Sequence, residues 1–150
     1  MAKHPTFTFD TSRQLQDAGL VAASAAGTRI LDKGPGIGIR AGVVVIDVSA
    51  IEIASNDETY TIHVQGSPDA ALGTAGNIVE LASLTLSAKE TKLSDSDRDD
   101  ATGRRFLPYI NTAEDGVPLR YLRLYITVAG TVATGINFTA FDCDIHQLVA

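Results

Sequence analysis

The sequence is poor in the residues that mark disulfides, zinc sites and membrane spans. It has a single cysteine and no tryptophan in 150 residues. One cysteine cannot form a disulfide within the chain or supply a cysteine-rich zinc site. No stretch approaches the roughly 20 consecutive apolar residues that a membrane-spanning helix needs. These absences exclude a disulfide-stabilised scaffold, a cysteine-rich zinc protein and a helical membrane protein.

Basic residues are also scarce. The chain has 12 Lys and Arg against 18 Asp and Glu, which gives a net charge of −6. It therefore lacks the positive electrostatic footprint of a nucleic-acid-binding protein. The first residues, 1–5, carry one lysine and no apolar run follows them, so we expect no secretory signal and synthesis in the cytoplasm.

Short segments with β-strand patterns fill most of the remaining chain. Residues 43–48 are continuously apolar and β-branched apart from one aspartate, and residues 59–65 and 121–128 alternate between apolar and polar. Such patterns are typical of strands. In residues 136–143 the apolar phase shifts at Ala140, which predicts a bulge or burial on both faces. We predict six to eight strands, and hence an all-β, jelly-roll-like antiparallel β-sandwich over residues 41–150.

Residues 1–40 differ from the rest of the chain, with residues 10–27 rich in Ala, Ser and Gln, and we predict that residues 1–40 form an extended N-terminal arm. An arm of this kind gains stability by lying on a neighbouring molecule. Each fully buried apolar side chain contributes about 1.5–3 kcal/mol. The interface candidates are the large apolar residues of the arm together with the outward-facing residues of strand 121–128: Phe7, Phe9, Leu15, Leu20, Val21, Ile30, Leu31, Tyr121, Arg123 and Tyr125.

Two motifs superficially suggest ligand sites. Gly34, Gly36 and Gly38 are spaced somewhat like a dinucleotide-binding loop, but residue 39 is Ile and a strand pattern follows, so we interpret them as a turn. The run Asp95, Asp97 and Asp99 begins like a calcium loop but lacks the Gly and Glu that an EF-hand requires further along. It is a weak candidate for a cation site or, more simply, a solvated acidic loop.

Nucleophiles and metal-ligating residues are not grouped in the sequence. His4, His63 and His146 are far apart, whereas cupin-type metal sites use closely spaced histidines. Cys143 lies between Asp142 and Asp144, and acidic neighbours raise the pKa of a thiol and disfavour the reactive thiolate. We therefore expect a protein that is not an enzyme and uses no cofactor.

Two stretches resemble a known family of tailed-phage capsid proteins. They are residues 9–34 (FDTSRQLQDAGLVAASAAGTRILDKG) and residues 120–131 (RYLRLYITVAGT). The family is the capsid cement, or decoration, protein of the Bordetella-phage type. The resemblance implies a jelly-roll protein that assembles as dimers or trimers on the outside of an icosahedral head. There it would clamp neighbouring subunits of an HK97-like major capsid protein, so that the expected location is the outer surface of the virion.

The composition agrees with such a role but leaves alternatives open. Charged residues make up 20% of the chain, below the roughly 25% that is typical of globular domains, as expected if other proteins cover part of the surface. One alternative is a virion-surface carbohydrate-binding or host-attachment module, with exposed aromatic residues around a groove. Another is a β-sandwich enzyme, which requires a concave polar pocket.

Overall fold

Two antiparallel β-sheets pack against each other in the computed structural model, which describes residues 9–72, 77–88, 99–113 and 115–144. Within these ranges there is no α-helix, and the only helical element is the 3₁₀ turn Thr11–Arg13. The predicted all-β, jelly-roll-like sandwich is therefore confirmed. None of the described segments is a helix long and apolar enough to cross a membrane.

The strands follow in chain order and differ in length. They are β1 (Gln14–Gln16), β2 (Leu20–Val21), β3 (Ala25–Asp32), β4 (Ala41–Ile51), β5 (Thr59–Ser67), β6 (Val79–Ser87), β7 (Gly103–Ile110), β8 (Tyr121–Ala129) and β9 (Ile136–Asp144).

The order of strands within each sheet differs from their order in the chain. The first sheet has the order β1-β9-β4-β7, with β2 also paired to β9, and the second has the order β3-β8-β5-β6. Neighbouring strands are antiparallel throughout. The edge position of β7 agrees with its Pro108, which cannot donate a ladder hydrogen bond.

The core lies between the sheets and follows the alternation in the sequence. The even-numbered residues of β5 and β8 point inward, and Tyr60, Ile62, Leu122, Leu124 and Ile126 are fully buried. Burial of this kind is the main term that stabilises the fold.

Strand β9 explains the phase shift that the sequence shows at Ala140. Ile136, Phe138 and Ala140 belong to the core between the sheets, whereas Phe141 and Cys143 belong to a second buried cluster with Val43 and Val45 of β4. The end of β9 is therefore buried on both faces, as one of the two predicted explanations requires.

The segment predicted to be an extended arm is largely part of the sandwich. Strands β1 and β2 pair with β9 in the first sheet, and β3 pairs with β8 in the second. Residues 14–32 thus supply strands to both sheets and close one side of the core. The predicted boundary at residue 40 does not separate an arm from the sandwich here, because the Ala- and Ser-rich pattern hides strands that only pairing partners far along the chain stabilise.

Candidate functional site

The apolar residues predicted to make the arm an interface fall into three groups. Leu15 is fully buried in the core, which corrects its assignment as an interface residue, and Val21 and Leu31 pack against the same core. The physical reason is pairing: β1 and β2 lie on β9 and β3 lies on β8, so these side chains point between the sheets. Phe7 lies outside the described residues.

The remaining apolar candidates are on the surface. Phe9 is 52% exposed, Leu20 60% and Ile30 49%. Phe9 packs edge-on against Phe141 on the outer face of the first sheet, whereas Ile30 lies opposite Arg123 on the outer face of the second. The segment therefore presents apolar side chains on both outer faces of the sandwich.

The outer face of the second sheet gathers polar and aromatic side chains into one surface. We call it the tyrosine face and define it by Ile30, His63, Gln65, Tyr121, Arg123 and Tyr125, which the strand registers place on one side of the sheet.

Side-chain contacts hold the tyrosine face in place. Arg123 donates from Nε to Gln65 Oε1 at 2.9 Å, and its guanidinium lies 5.9 Å from the centre of the Tyr125 ring. His63 Nε2 lies 3.0 Å from Thr127 Oγ1. An arginine held in this way would lose little side-chain entropy on contact with another molecule, and Tyr and Arg are enriched among the residues that dominate binding energy.

Part of the outer face of the first sheet is apolar instead. Val43, Val45 and Phe141 are buried there together with Cys143. Burial, and next the charge of Asp142, raises the pKa of the Cys143 thiol. This agrees with the expectation that the reactive thiolate of Cys143 is disfavoured, since the thiol form is a poor nucleophile.

One end of the sandwich holds a buried group of charges that the sequence analysis did not find. We call it the charged cluster: Arg13, Lys33, Tyr109, Asp142 and Asp144. The Asp142 side chain is fully buried, and its Oδ2 accepts from Arg13 at 2.6 Å and lies 3.1 Å from Lys33 Nζ. The Lys33 side chain is only 6% exposed. In the sequence, the one indication that Asp142 is buried was its position two residues after Ala140 and four after Phe138, which places all three on the inward face of β9.

Tyr109 completes the charged cluster from β7. Its hydroxyl donates to Asp142 Oδ1 at 2.5 Å. Burial, and next the negative charge of Asp142, raises the Tyr109 pKa far above its usual value, so the hydroxyl remains a donor. The ring lies across Gly42, where a Cβ atom would be 2.7 Å from it, so β4 needs a glycine at this position.

The opposite end of the sandwich holds a second polar group, the loop cluster: Glu52, Asp57, Thr131, Thr134 and Gly135. The Glu52 carboxylate accepts the backbone N–H groups of Thr134 and Gly135 at 2.6 and 2.7 Å. Asp57 accepts the N–H and the hydroxyl of Thr131, both at 2.9 Å. These bonds lower the pKa of both carboxyl groups and tie the β8–β9 turn to the β4–β5 loop.

An open groove of about 960 Å³ runs between the edges of the two sheets. We call it the edge groove. Its walls include Val79 and Leu81 of β6 and Pro108 and Ile110 of β7, with Glu80 and Asp115 among the polar groups. The edge groove is mainly apolar, and its described lining residues include no group of three His, Cys, Asp or Glu that could hold a metal ion.

The motifs that suggested ligands behave as turns or lie outside the described residues. Gly34 and Gly36 have positive φ angles in a turn that leads into β4, with no helix after it. Asp95 and Asp97 lie outside the described residues, and Asp99 lies within them.

The described residues include one of the three histidines. His4 and His146 lie outside the described residues, and His63 lies on the tyrosine face. Within the described part of the chain, no three His, Cys, Asp or Glu residues are grouped so that they could hold a metal ion.

Comparison with known proteins assigns this chain to no family. No protein-family model matches the chain, and no curated protein sequence is significantly similar to it.

Proposed function

We propose that the protein is a structural component of a tailed-phage virion, which binds the outside of the icosahedral head and joins neighbouring subunits of an HK97-like major capsid protein. In this role it stabilises the mature head and needs no active site. The proposal includes self-assembly into a small oligomer on the outer surface of the head.

The observation that carries this proposal is the pairing of the two segments that resemble capsid cement proteins. Residues 9–34 and 120–131 are far apart in the chain, yet they contribute β3 and β8, which lie side by side. Asp32 and Arg120 join their ends through two hydrogen bonds of 2.6 and 2.8 Å. The resemblance therefore falls on one continuous part of the molecule.

That part of the molecule has the character of a binding surface. Its outward side is most of the tyrosine face, where the half-exposed Ile30 lies beside Arg123 and next to Tyr121 and Tyr125. Interfaces of this composition bind through a few aromatic and arginine anchors. Repetition over many copies on a shell then gives stable attachment from modest single contacts.

The test is reconstitution on heads that lack the protein. Purified protein is added to such heads, and bound protein is measured after sedimentation together with the resistance of the heads to heat and low ionic strength. We expect binding and a gain in resistance. Heads that are equally robust with and without bound protein contradict the stabilising role.

Variants of the tyrosine face locate the contact. Arg123→Ala and Tyr125→Ala should each weaken binding to heads by at least about tenfold, because hot-spot truncations cost about 2 kcal/mol or more and 1.4 kcal/mol is tenfold. Ile110→Ala, which removes a 54% exposed apolar side chain on the other sheet, is the control and should bind normally. Equal binding by all three variants places the contact elsewhere.

A further inference from the structure

The charged cluster holds an amine and a carboxyl group in contact and away from water. Lys33 Nζ lies 3.1 Å from Asp142 Oδ2, and the two side chains are 6% and 0% exposed. The surface ion pairs of Asp17, Asp32 and Asp47 use arginine instead. An arginine keeps its proton and is no nucleophile, whereas a lysine that has given up a proton is one. The buried pair therefore differs from these surface pairs in being able to react.

The backbone holds both members of this pair in place. Lys33 directly follows β3, and its N–H donates to the Arg120 carbonyl oxygen at 2.9 Å. Asp142 lies within β9, opposite Val44 of β4. The Cγ atom of Asp142 is one bond beyond Oδ2, so Nζ needs only a small movement to reach the attack distance of about 3–3.5 Å.

We propose that Lys33 and Asp142 condense to an isopeptide bond, an amide between Nζ and Cγ, with the loss of one water molecule. The first ammonium proton passes directly to Oδ2, which leaves an amine and a carboxylic acid, and the Nζ–Cγ bond then forms. A second proton passes from Nζ to Oδ2 through Asp144, whose Oδ1 lies 3.8 Å from Nζ. The Cγ–Oδ2 bond breaks and Oδ2 leaves as water. The step balances in atoms and charge and needs no co-reactant.

Tyr109 supplies the catalytic group for this step. Its hydroxyl donates to Asp142 Oδ1 at 2.5 Å, and Oδ1 is the oxygen on which negative charge develops when Nζ attacks Cγ. A donor fixed at that position stabilises the tetrahedral intermediate. A polar cavity of about 410 Å³, with Arg13, Lys33 and Asp144 in its walls, gives the released water a route out.

The product is easier to keep buried than the reactants. The reaction replaces the Lys33–Asp142 ion pair, which is costly to desolvate, by a neutral amide whose carbonyl oxygen retains the Tyr109 hydrogen bond. Arg13 keeps its partner, because it donates to both oxygens of Asp144 at 3.1 and 3.0 Å. Every charge that remains in the charged cluster is therefore still paired.

The bond joins the end of β3 to β9 and closes a loop from residue 33 to residue 142. A chain with one cysteine cannot form a disulfide, and an isopeptide bond constrains the unfolded chain in the same way. This reaction does not depend on binding to heads, so either proposal can fail alone.

Mass spectrometry of the full-length wild-type protein, unfolded before the measurement, tests the proposal directly. We expect a mass lower than that of the sequence by one water molecule. Trypsin does not cleave after an acylated lysine, so residues 30–40 should remain joined to residues 124–150 in one branched peptide. Fragmentation should place the link at Lys33 and Asp142. A wild-type protein of full mass, or a missing water at another residue, overturns the proposal.

Lys33→Arg removes the nucleophile and keeps the positive charge. It should have the full mass of its sequence, and circular dichroism verifies that it folds. A folded variant that still lacks one water contradicts the proposal, and if the variant does not fold, the branched peptide of the wild type decides. The matched control is Arg104→Lys, which places a lysine beside Asp47 in a pair whose side chains are 47% and 37% exposed. It should lose the one water of the wild type, and a second lost water contradicts the requirement for burial.

Tyr109→Phe separates a catalytic role of the hydroxyl from a structural one. Removing one such donor slows a reaction by about 10²–10³-fold. Bond formation, followed by mass during cell-free synthesis, should therefore slow by about a hundredfold. Tyr125→Phe on the tyrosine face is the control and should form the bond at the wild-type rate. Equal rates in all three proteins overturn the catalytic role of Tyr109.

Discussion

The two ends of the β4–β9 pair are closed by polar groups in opposite ways. In the charged cluster, side chains pair with one another, and Asp142 and Lys33 are almost completely removed from water. In the loop cluster, the carboxylates of Glu52 and Asp57 accept backbone N–H groups near the surface. The first end joins the N-terminal segment to the core, and the second shapes a turn.

This difference shows where each kind of interaction matters. A buried ion pair is costly to desolvate, and removing one partner leaves an uncompensated charge. Surface carboxylates on backbone N–H groups involve little desolvation, and their effect depends on pH. We therefore expect substitutions at the charged cluster to change global stability strongly and those at the loop cluster to change turn geometry and acid resistance.

The largest effect is expected for Asp142→Asn. The substitution removes the charge that faces Lys33 and Arg13, so the free energy of unfolding should fall by about 3–5 kcal/mol. Urea denaturation at pH 7 measures it. The matched control is Asp47→Asn, because Asp47 pairs with Arg104 at 2.7 Å on the surface, with side chains 37% and 47% exposed, and should cost no more than about 1 kcal/mol. If both variants lose the same free energy of unfolding, the predicted difference between buried and exposed ion pairs is wrong.

The second-largest loss of stability is expected for Gly135→Ala, which changes the loop cluster at the opposite end of the sandwich. Gly135 has a φ of 88°, and a Cβ atom there would lie 2.0 Å from the Val21 carbonyl oxygen. Left-handed strain of about 1–2 kcal/mol and overpacking of about 1–3 kcal/mol together predict a loss of about 2–5 kcal/mol. The control is Gly36→Ala, because Gly36 has a φ of 70° and a Cβ atom there would have no other atom within 4 Å. This variant should lose only the stability that the backbone strain costs. If thermal melts show the same loss for both variants, the predicted steric overlap at Gly135 is wrong.

Tyr109→Phe sharpens the description of the charged cluster. It deletes the hydroxyl that donates to Asp142 and keeps the ring, so stability should fall by about 1.5–3 kcal/mol, the usual range for a hydrogen bond to a charged group. The control is Tyr125→Phe, whose hydroxyl has no hydrogen bond among the described residues, and it should lie within about 0.5 kcal/mol of wild type. If the Tyr109→Phe variant is as stable as wild type, then Arg13 and Lys33 alone are enough to compensate the buried charge of Asp142.

Glu52→Gln should have the smallest effect at neutral pH and a distinct one in acid. The N–H groups of Gly135 and Thr134 lower the pKa of Glu52 below the value of about 4.3 in an unfolded chain. Its contribution is therefore complete above that pH and is lost as the pH falls through the folded-state pKa. Stability measured from pH 7 to pH 2 should decline less steeply in the variant than in wild type. Parallel curves contradict a role for the Glu52 charge in this turn.

Local patterns predicted the central strands well. The alternation in β5 and β8 and the apolar run in β4 correctly indicated strands and their buried faces, because one residue in two must point into the core. Pro108, which cannot donate a ladder hydrogen bond, likewise agrees with the edge position of β7. The alternation of Tyr121, Arg123 and Tyr125 likewise placed them on one outward face.

The N-terminal strands and the charged cluster were not predictable in this way. Residues 25–28 (AAGT) have little β-propensity of their own, and this part of β3 forms because β8 offers it pairing partners. Leu15 looked like an interface residue until its pairing with β9 turned it inward. The charged cluster could not be found from the sequence because the partners of Asp142, which are Arg13, Lys33 and Tyr109, lie far from it in the chain.

The sequence by itself determined the fold class, the buried faces of the central strands, and the exclusion of disulfides and cysteine-rich zinc. Those properties depend on composition and on a period of two residues, which are local. Tertiary structure alone decided that residues 14–32 complete both sheets and that five separated side chains form the charged cluster. Both depend on which distant strands pair, since burial and charge partners exist only once the sheets are assembled.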